Sequence, residues 1–389
     1  MKSVPITRRS FVKTAAIVAP ALVGLNPSVR AQSAREGKLG VALCGLGGFS
    51  RNSIAPELPS AKNVWFAGAI TGDAAKGREW AQQYGFSEKN IFNYSDMARL
   101  ADAKDIDIVH VVTPNSLHAP HTIAAARAGK HVMVEKPMAT TSTQCEQMIA
   151  AAKSAGVRLG VSYRLQWEPH HVKAAAFLAT GTIGNPSNGT YEFSWGYTGA
   201  LANPERRKTI KQWLLDANLA GGGAMFDTGV YAVQAACMFS SQTPISARGF
   251  ASTRHPDLFP AGIEETMGFQ LDFADGFQAM GRASYSGNYH QCTTYGPSGS
   301  VEILPGINSG NAFGQSSNGR PTPKRLIAKR QEIVAEDTLQ LAVLLDAFAD
   351  AIRTDSPFKA DGPMGLRDIR IVEAVYASVA QGGSSVSLS

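Results

Sequence analysis

The chain of 389 residues has only four cysteines, Cys44, Cys145, Cys237 and Cys292, and they are widely scattered. They form no CxxC pair and no other spacing typical of a metal site. The pattern therefore argues against a disulfide framework and against a cysteine-based metal centre, and we expect no metal. Cys44 lies inside an apolar run, which indicates a buried and unreactive thiol.

The chain also has no apolar run long enough to cross a membrane. The stretch from Thr14 to Leu25 has 12 residues, whereas a spanning helix needs about 20. Arg8 and Arg9 precede this stretch, and the small residue Ala31 follows it. An arginine pair, a short apolar core and a small residue together predict a twin-arginine signal peptide at residues 1–31. We therefore expect a periplasmic protein with no membrane anchor after cleavage.

Without residues 1–31, the chain has almost no net charge. Residues 1–31 carry five of the 37 basic residues and none of the 31 acidic residues. The remaining chain is close to neutral, and no basic stripe with interleaved aromatic residues follows. We therefore do not expect nucleic acid as a partner.

After a short arm at residues 32–38, apolar runs alternate with helical patterns up to residue 162. Runs without internal alternation predict strands buried on both faces, and helices between them predict a parallel sheet. Residues 39–162 are therefore expected to form a Rossmann domain with a doubly wound parallel sheet. Residues 163–389 contain a helix, a series of short strands and two final helices. This order predicts a second, α+β domain with a large, mainly antiparallel sheet.

A glycine-rich turn follows the first apolar run directly. Its residues are Gly45, Leu46, Gly47, Gly48 and Phe49, and Ser50 stands where the motif GxGxxG has its last glycine. Glycines at a turn from strand to helix allow a pyrophosphate to approach the N-terminus of the helix. The motif alone is weak, but its place between a strand and a helix predicts that these five residues bind a dinucleotide.

The end of the second strand bears on which dinucleotide is bound. NAD enzymes usually have an acidic residue here to bind the ribose 2′-hydroxyl. This strand ends in Thr71, and Lys76 follows one helical turn later. A hydroxyl and an ammonium suit a 2′-phosphate, so we favour NADP over NAD. Asp73 points the other way, because a carboxylate there can accept from ribose or repel a phosphate.

The third and fourth long strands add further candidates at the same edge of the sheet. Pro114, Asn115 and His118 follow the third strand, where they are typical of a helix start but can also contact a nucleotide. Val132 to Val134 leads into Glu135 and Lys136, and Pro137 fixes the backbone next to the lysine. Ligands of parallel sheets bind at the carboxyl ends of strands. The alternative for Glu135 and Lys136 is an ion pair at a surface turn.

A triple glycine, Gly221–Gly223, precedes Asp227 and Tyr231. The two side chains are four residues apart, so on a helix they share one face. For Tyr231, the residues alone favour a buried tyrosine on a core helix.

With these segments in hand, the chain resembles the glucose–fructose oxidoreductase / inositol dehydrogenase / MocA family over about residues 39–385. The motifs that carry the resemblance are the glycine turn, TPNSLH, EKPMAT and GGGAMFDTGVYA, with TGDAAK and SYR beside them. EKP together with DxGxY is specific, whereas the glycine turn alone is not.

The resemblance implies that Lys136, Asp227 and Tyr231 are catalytic. It further implies that Glu135, Lys136, Arg164 and Trp213 contact the cofactor. The resembled enzyme has Trp-Arg at this place, with both residues at the cofactor. In this chain Trp213 is followed by Leu214, and the missing arginine weakens the expectation of a permanently bound dinucleotide. Tyr231 would move the proton of a sugar hydroxyl, Asp227 would orient the sugar, and the ammonium of Lys136 would stabilise the phenolate.

The function implied is a periplasmic, NADP-dependent sugar oxidoreductase. It would transfer hydride from C1 of an aldose to bound NADP and then to a second carbonyl sugar, in a ping-pong sequence. One alternative is an NAD-dependent glycoside hydrolase of the same fold, and another is a dehydrogenase with exchangeable NAD(P). A non-catalytic sugar-binding or dinucleotide-binding partner is a third class. We also expect a homo-oligomer, either a dimer or a tetramer.

Overall fold

The computed structural model describes residues 37–208, 212–287, 289–305, 324–336 and 338–388. The predicted signal peptide and most of the predicted arm lie outside these ranges. Among the described residues, no helix is both long and apolar enough to span a membrane.

The first sheet is parallel and has six strands. In chain order they are β1 (Leu39–Cys44), β2 (Val64–Ile70), β3 (Ile91–Phe92), β4 (Ile108–Val111), β5 (His131–Val134) and β6 (Leu159–Val161). Their spatial order is β3-β2-β1-β4-β5-β6, which is the order of doubly wound dinucleotide-binding sheets. The chain reverses direction across the sheet between β1 and β4, so a crevice opens at their carboxyl ends. The predicted Rossmann sheet is confirmed.

Three helices cover this sheet: α1 (Ala74–Tyr84), α2 (His118–Arg127) and α3 (Ser142–Ala155). Asp73 caps α1 by accepting from two backbone N–H groups, and Thr141 caps α3 by accepting from one. Both helices end at a glycine with positive φ, Gly85 and Gly156. Such caps satisfy N–H and C=O groups that a helix end otherwise leaves without partners.

The second sheet has nine strands. They are β7 (Asn188–Ser194), β8 (Ser246–Ser252), β9 (Thr266–Asp272), β10 (Gln278–Ser284), β11 (Tyr289–Gly296), β12 (Gly299–Leu304), β13 (Arg325–Ala328), β14 (Gln331–Ile333) and β15 (Val386–Ser387). Their spatial order is β14-β13-β12-β11-β7-β10-β9-β8-β15. Neighbouring strands whose register is defined are antiparallel, except that β7 and β10 run parallel. The predicted mainly antiparallel sheet is confirmed.

Four longer helices follow β6 in the chain: α4 (Pro169–Ala179), α5 (Val230–Ser240), α6 (Gln340–Arg353) and α7 (Gly362–Ala380). Of these, α4, α5 and α7 contact strands of the second sheet, whereas α6 contacts β2 of the first. Shorter helical segments are Ala55–Glu57, Tyr197–Leu201, Pro204–Arg207 and Ala217–Ala220, and π-turns occupy Ser50–Ile54 and Met225–Gly229. The start of α6 returns to the first sheet region, since the Glu57 carboxylate accepts from the N–H groups of Leu341 and Ala342. The domain boundary between residues 162 and 163 stays a prediction.

Candidate active site

A cavity of about 310 Å³ opens at the carboxyl ends of β1, β2, β4 and β5. It contains almost all of the residues that the sequence proposed for the site. These residues are Gly45, Leu46, Gly47, Gly48, Phe49, Thr71, Lys76, Pro114, Asn115, His118, Glu135, Lys136, Trp213, Asp227 and Tyr231.

The glycine turn forms one wall of the cavity. Gly45 has φ +103°, and a Cβ atom on it would stand 2.7 Å from the carbonyl oxygen of Val112, so only glycine fits. Gly47 is exposed towards open space, with no atom within 4 Å of where its Cβ would be. Ser50 is buried and its hydroxyl donates to the Gly45 carbonyl at 2.5 Å, which explains a serine at the last motif position. The open turn at a helix start fits a dinucleotide pyrophosphate.

Thr71, Asp73 and Lys76 differ in how they stand towards the cavity. Thr71 and Lys76 line it. The Asp73 carboxylate instead accepts from the N–H groups of Ala75 and Lys76, at 2.9 and 3.0 Å. The hydrogen bond from the Lys76 N–H lowers the pKa of Asp73. This carboxylate is therefore occupied with its own helix and does not line the cavity, whereas Lys76 does.

Asn115 and His118 hold the loops around the crevice. The Asn115 side-chain amide donates to the carbonyl of Ala220 at 2.8 Å. The two ring nitrogens of His118 lie 2.8 Å from the Pro137 carbonyl and 2.9 Å from the Thr113 carbonyl. Burial lowers the pKa of His118, while its contacts with the two carbonyl groups act in the opposite direction. His118 therefore ties the loop after β4 to the loop after β5.

Glu135 is buried and pairs with a histidine that the sequence reasoning did not single out. His110, in the middle of β4, lies with Nε2 3.0 Å from Glu135 Oε1. Burial alone would raise the pKa of Glu135, but the interactions with His110, together with those with Ser162 and Lys136, more than offset this, so its pKa is lowered. The alternative of a surface ion pair between Glu135 and Lys136 is wrong, because both side chains are largely buried and have other partners.

Lys136, Asp227 and Tyr231 come together although they are distant in the chain. The Lys136 ammonium donates to the main-chain carbonyl of Asp227 and lies 3.5 Å from Asp227 Oδ1. It also stands 4.6 Å from the centroid of the Tyr231 ring. Asp227 Oδ2 is buried and has no hydrogen-bond partner among the described residues. A buried carboxylate oxygen with no partner is an acceptor left for a hydroxyl-bearing ligand.

Asp227 and Tyr231 are not on one regular α-helix as the sequence spacing predicted. Asp227 lies in the π-turn Met225–Gly229, and Tyr231 lies in the first turn of α5. The wider turn still leaves both side chains on the cavity. The peptide bond between Lys136 and Pro137 is cis.

Arg164 is the one proposed site residue that does not line the cavity. It is 1% exposed, and one of its guanidinium nitrogens donates to Gln340 Oε1 at 3.0 Å. Its Cζ lies 5.7 Å from the centroid of the Tyr231 ring. The structure therefore places Arg164 next to Tyr231 rather than on the crevice.

Sequence reasoning missed four aromatic residues of the cavity wall: Tyr94, Trp195, Tyr197 and Phe226. Tyr94 stacks on His121 with ring centroids 4.9 Å apart, and burial raises its pKa to about 12. Burial and the nearby Asp227 charge raise the pKa of Tyr197 as well. Flat apolar rings beside polar acceptors are typical of pockets that hold small polar ligands. Trp195 and Tyr197 had a signal in the sequence, since they follow an alternating strand.

Two family models match the chain. Residues 39–163 match the model GFO_IDH_MocA, described as an oxidoreductase family with an NAD-binding Rossmann fold. Residues 171–302 match the model of a GFO/IDH/MocA C-terminal domain.

Similar proteins cover nearly the whole chain. The aldose-aldose oxidoreductase from Caulobacter crescentus, solved with glycerol, is 32% identical with a TM-score of 0.81, over 90% of this chain and 100% of that chain. A D-xylose 1-dehydrogenase [NADP(+)] from Haloarcula marismortui is 26% identical, over 89% of this chain and 92% of its own length. An inositol dehydrogenase homologue from Azotobacter vinelandii, solved with NAD⁺, is 20% identical with a TM-score of 0.73, over 90% and 97% of the chains. At that identity the last likeness concerns the fold alone.

Proposed function

Because the chain belongs to the GFO/IDH/MocA family of oxidoreductases, we propose that it oxidises an aldose at C1 with bound NADP and then reduces a second carbonyl sugar. The chain is an NAD(P)-dependent oxidoreductase that acts on CH–OH groups of sugars. The proposal adds the position on the sugar that is oxidised, the choice of NADP, and the order in which the two sugars react.

The observation that carries the proposal is the meeting of Lys136, Asp227 and Tyr231 at the dinucleotide crevice. Tyr231 takes the proton of the anomeric hydroxyl at its phenolic oxygen. The ammonium of Lys136, 4.6 Å from the ring centroid, stabilises the negative charge that the phenol then carries. The unpaired Oδ2 of Asp227 accepts from a sugar hydroxyl and so orients the ring. Bound NADP supplies the hydride acceptor.

Two observations support NADP over NAD. Lys76 lines the cavity, whereas the Asp73 carboxylate caps its own helix. A site whose cavity wall includes the cation but not the acid suits a 2′-phosphate. The Haloarcula relative is named for NADP(+), while structures solved with NAD⁺ resemble this chain at lower identity.

Two further observations support a two-sugar reaction in the periplasm. Residues 1–31 have the pattern of a signal that exports folded proteins. A periplasm contains no pool of free dinucleotide, so an exported dinucleotide would need reoxidation in place. The similar protein from Caulobacter is named for aldoses on both sides of its reaction.

The test uses the mature protein purified from the periplasm. We expect denaturation to release NADP, and an aldose to produce reduced-nicotinamide absorbance that disappears when fructose or another carbonyl sugar is added. Absence of bound dinucleotide, with turnover only when NADP is supplied, would overturn the ping-pong proposal and leave a dehydrogenase with exchangeable cofactor. Release of nitrophenol from aryl glycosides, with NAD bound, would instead identify a glycoside hydrolase.

A further inference from the structure

Glu264 lies just before β9 and binds three consecutive N–H groups at the start of the segment that carries Asp227. Its Oε2 accepts from Gly223 and its Oε1 accepts from Met225, both at 2.8 Å. Its main-chain carbonyl accepts from Ala224 at 3.1 Å. Glu264 is 8% exposed and does not line the cavity. One distant residue thus fixes the beginning of this segment.

Tyr376, near the C-terminal end of α7, completes the arrangement. Its hydroxyl donates to the Glu264 carboxylate and lies 3.0 Å from both oxygens. Its ring stacks on Phe226, the residue before Asp227, with centroids 5.7 Å apart. Both oxygens of the buried carboxyl group therefore have hydrogen-bond partners, as a buried polar group requires.

The close fit also explains two of the three glycines. A Cβ on Gly222 would stand 2.2 Å from the Tyr376 hydroxyl oxygen, and a Cβ on Gly223 would stand 2.1 Å from the Glu264 carbonyl oxygen. Any larger residue at either position would displace Glu264 or Tyr376. The triple glycine is thus shaped to receive this pair.

The contact continues from Glu264 to the site itself. Gly223 donates its N–H to Glu264, and its carbonyl accepts from the N–H of Asp227 at 3.3 Å. The main-chain carbonyl of Asp227 in turn accepts from the Lys136 ammonium. We propose that Glu264 and Tyr376 are positioning residues that set where Asp227, and through it the Lys136 ammonium, stand in the cavity.

The expected loss of activity rests on the proposed function, whereas the expected displacement of Asp227 and Lys136 does not. Loss of the carboxylate leaves two buried N–H groups without an acceptor, so the segment moves to satisfy them. A displacement of about 1 Å at a catalytic group can cost about a hundredfold in rate.

Two variants test the pair, and one serves as a matched control. Tyr376→Phe removes only the hydroxyl and keeps the ring on Phe226. Glu264→Gln keeps the shape of the side chain, but its amide NH₂ replaces one oxygen and faces an N–H group that needs an acceptor. The control is Tyr191→Phe in β7, which removes a buried tyrosine hydroxyl that is bonded to Thr294 in β11 and to neither Glu264 nor Tyr376. Two quantities are measured: the rate of reductive methylation of Lys136 by peptide mass spectrometry, relative to exposed Lys153, and sugar turnover per reducible dinucleotide, with NADP added to saturation.

We expect Lys136 to react about threefold faster in Tyr376→Phe, because its hydrogen bond to Asp227 is weakened. Turnover per reducible dinucleotide should fall about tenfold in this variant and further in Glu264→Gln, with the control unchanged. Wild-type methylation and turnover in Tyr376→Phe, even with a lower melting temperature, would show that the pair only stabilises the fold and would overturn the inference. Faster methylation in a protein that turns over no sugar would support the inference and refute the proposed function. If Glu264→Gln does not fold, Tyr376→Phe decides alone.

Discussion

The ammonium of Lys136 stands over the face of the Tyr231 ring, 4.6 Å from its centroid, while it donates to the Asp227 main-chain carbonyl. The charge of the lysine therefore lies at the tyrosine ring. Under the proposed mechanism it acts on the tyrosine from this position, while the phenolic oxygen meets a substrate hydroxyl. The hydrogen bond makes the lysine dependent on the backbone position of Asp227.

Replacing Lys136 by methionine should remove this charge and keep most of the side-chain volume. We expect turnover of sugar to fall about a thousandfold, since the phenol of Tyr231 loses the charge that stabilises it when it takes the proton. Single-turnover measurement of nicotinamide reduction checks this. Lys153→Met, at an exposed position of α3, is the control and should behave as wild type. Unchanged turnover in Lys136→Met would remove Lys136 from the mechanism.

Arg164 gives a prediction that separates two roles. Its guanidinium carbon lies 5.7 Å from the Tyr231 ring centroid and off the cavity wall, so we expect Arg164→Gln to keep its dinucleotide. Turnover should fall about tenfold, because a cation near the phenol is lost, and Arg164→Lys should recover part of it. Dinucleotide content after denaturation and turnover per dinucleotide are measured. Loss of dinucleotide with normal turnover per bound molecule would support the cofactor contact expected from the sequence.

Much of the fold followed from the sequence because burial leaves a simple pattern. Strands such as β2 and β5 are covered on both faces and read as unbroken apolar runs. β3 has only two residues, Ile91 and Phe92, which is too short for any periodicity. The parallel pairing of β7 with β10 joins segments far apart in the chain, and no local pattern encodes it.

The site was predictable only in part, for a related reason. The glycine turn and Lys136 lie at strand ends, where local pattern and sheet geometry point to a ligand. Tyr231 needed the family resemblance, because its chemistry depends on Lys136 across the chain. Trp195 lies directly after β7, which ends at Ser194, and no motif in the sequence marked it as a residue of the cavity wall. The role of Glu264 depends on contacts with two distant segments, so its sequence neighbourhood carries no sign of it.

Lys76 should determine the preference for NADP. We expect Lys76→Ala to raise the KM for added NADP about tenfold or more and to leave the KM for NAD nearly unchanged, because only NADP carries the 2′-phosphate. Steady-state kinetics with each dinucleotide measure this on protein freed of bound cofactor. The control is Lys89→Ala, an exposed lysine paired with Asp105 away from the cavity. An equal rise for NAD and NADP would show that Lys76 does not recognise the 2′-phosphate.

His290, in β11, connects the cavity wall to the acid stability of the fold. Its ring lies 4.6 Å from that of Trp195, and its Nδ1 is buried without a hydrogen-bond partner among the described residues. Burial, together with the charges of Arg164 and Lys324, lowers its pKa from 6.5 to about 4. The unfolded chain therefore binds a proton that the folded chain does not between pH 6.5 and about 4. The stability that is linked to the neutral His290 is fully present above pH 6.5 and is lost as the pH falls through this range.

His290→Phe keeps an aromatic ring beside Trp195 and removes the titrating group. As the pH falls from 6.5 to 4.5, the free energy of unfolding of the variant should decline less than that of wild type. The difference should correspond to the titration of about one proton. Urea unfolding at half-unit pH steps measures both curves, with pH 7.5 as the internal reference for any packing change. Parallel curves over the range would mean that the His290 proton is not linked to folding. A flatter curve for the variant would show that this wall of the cavity is kept neutral at the cost of acid stability.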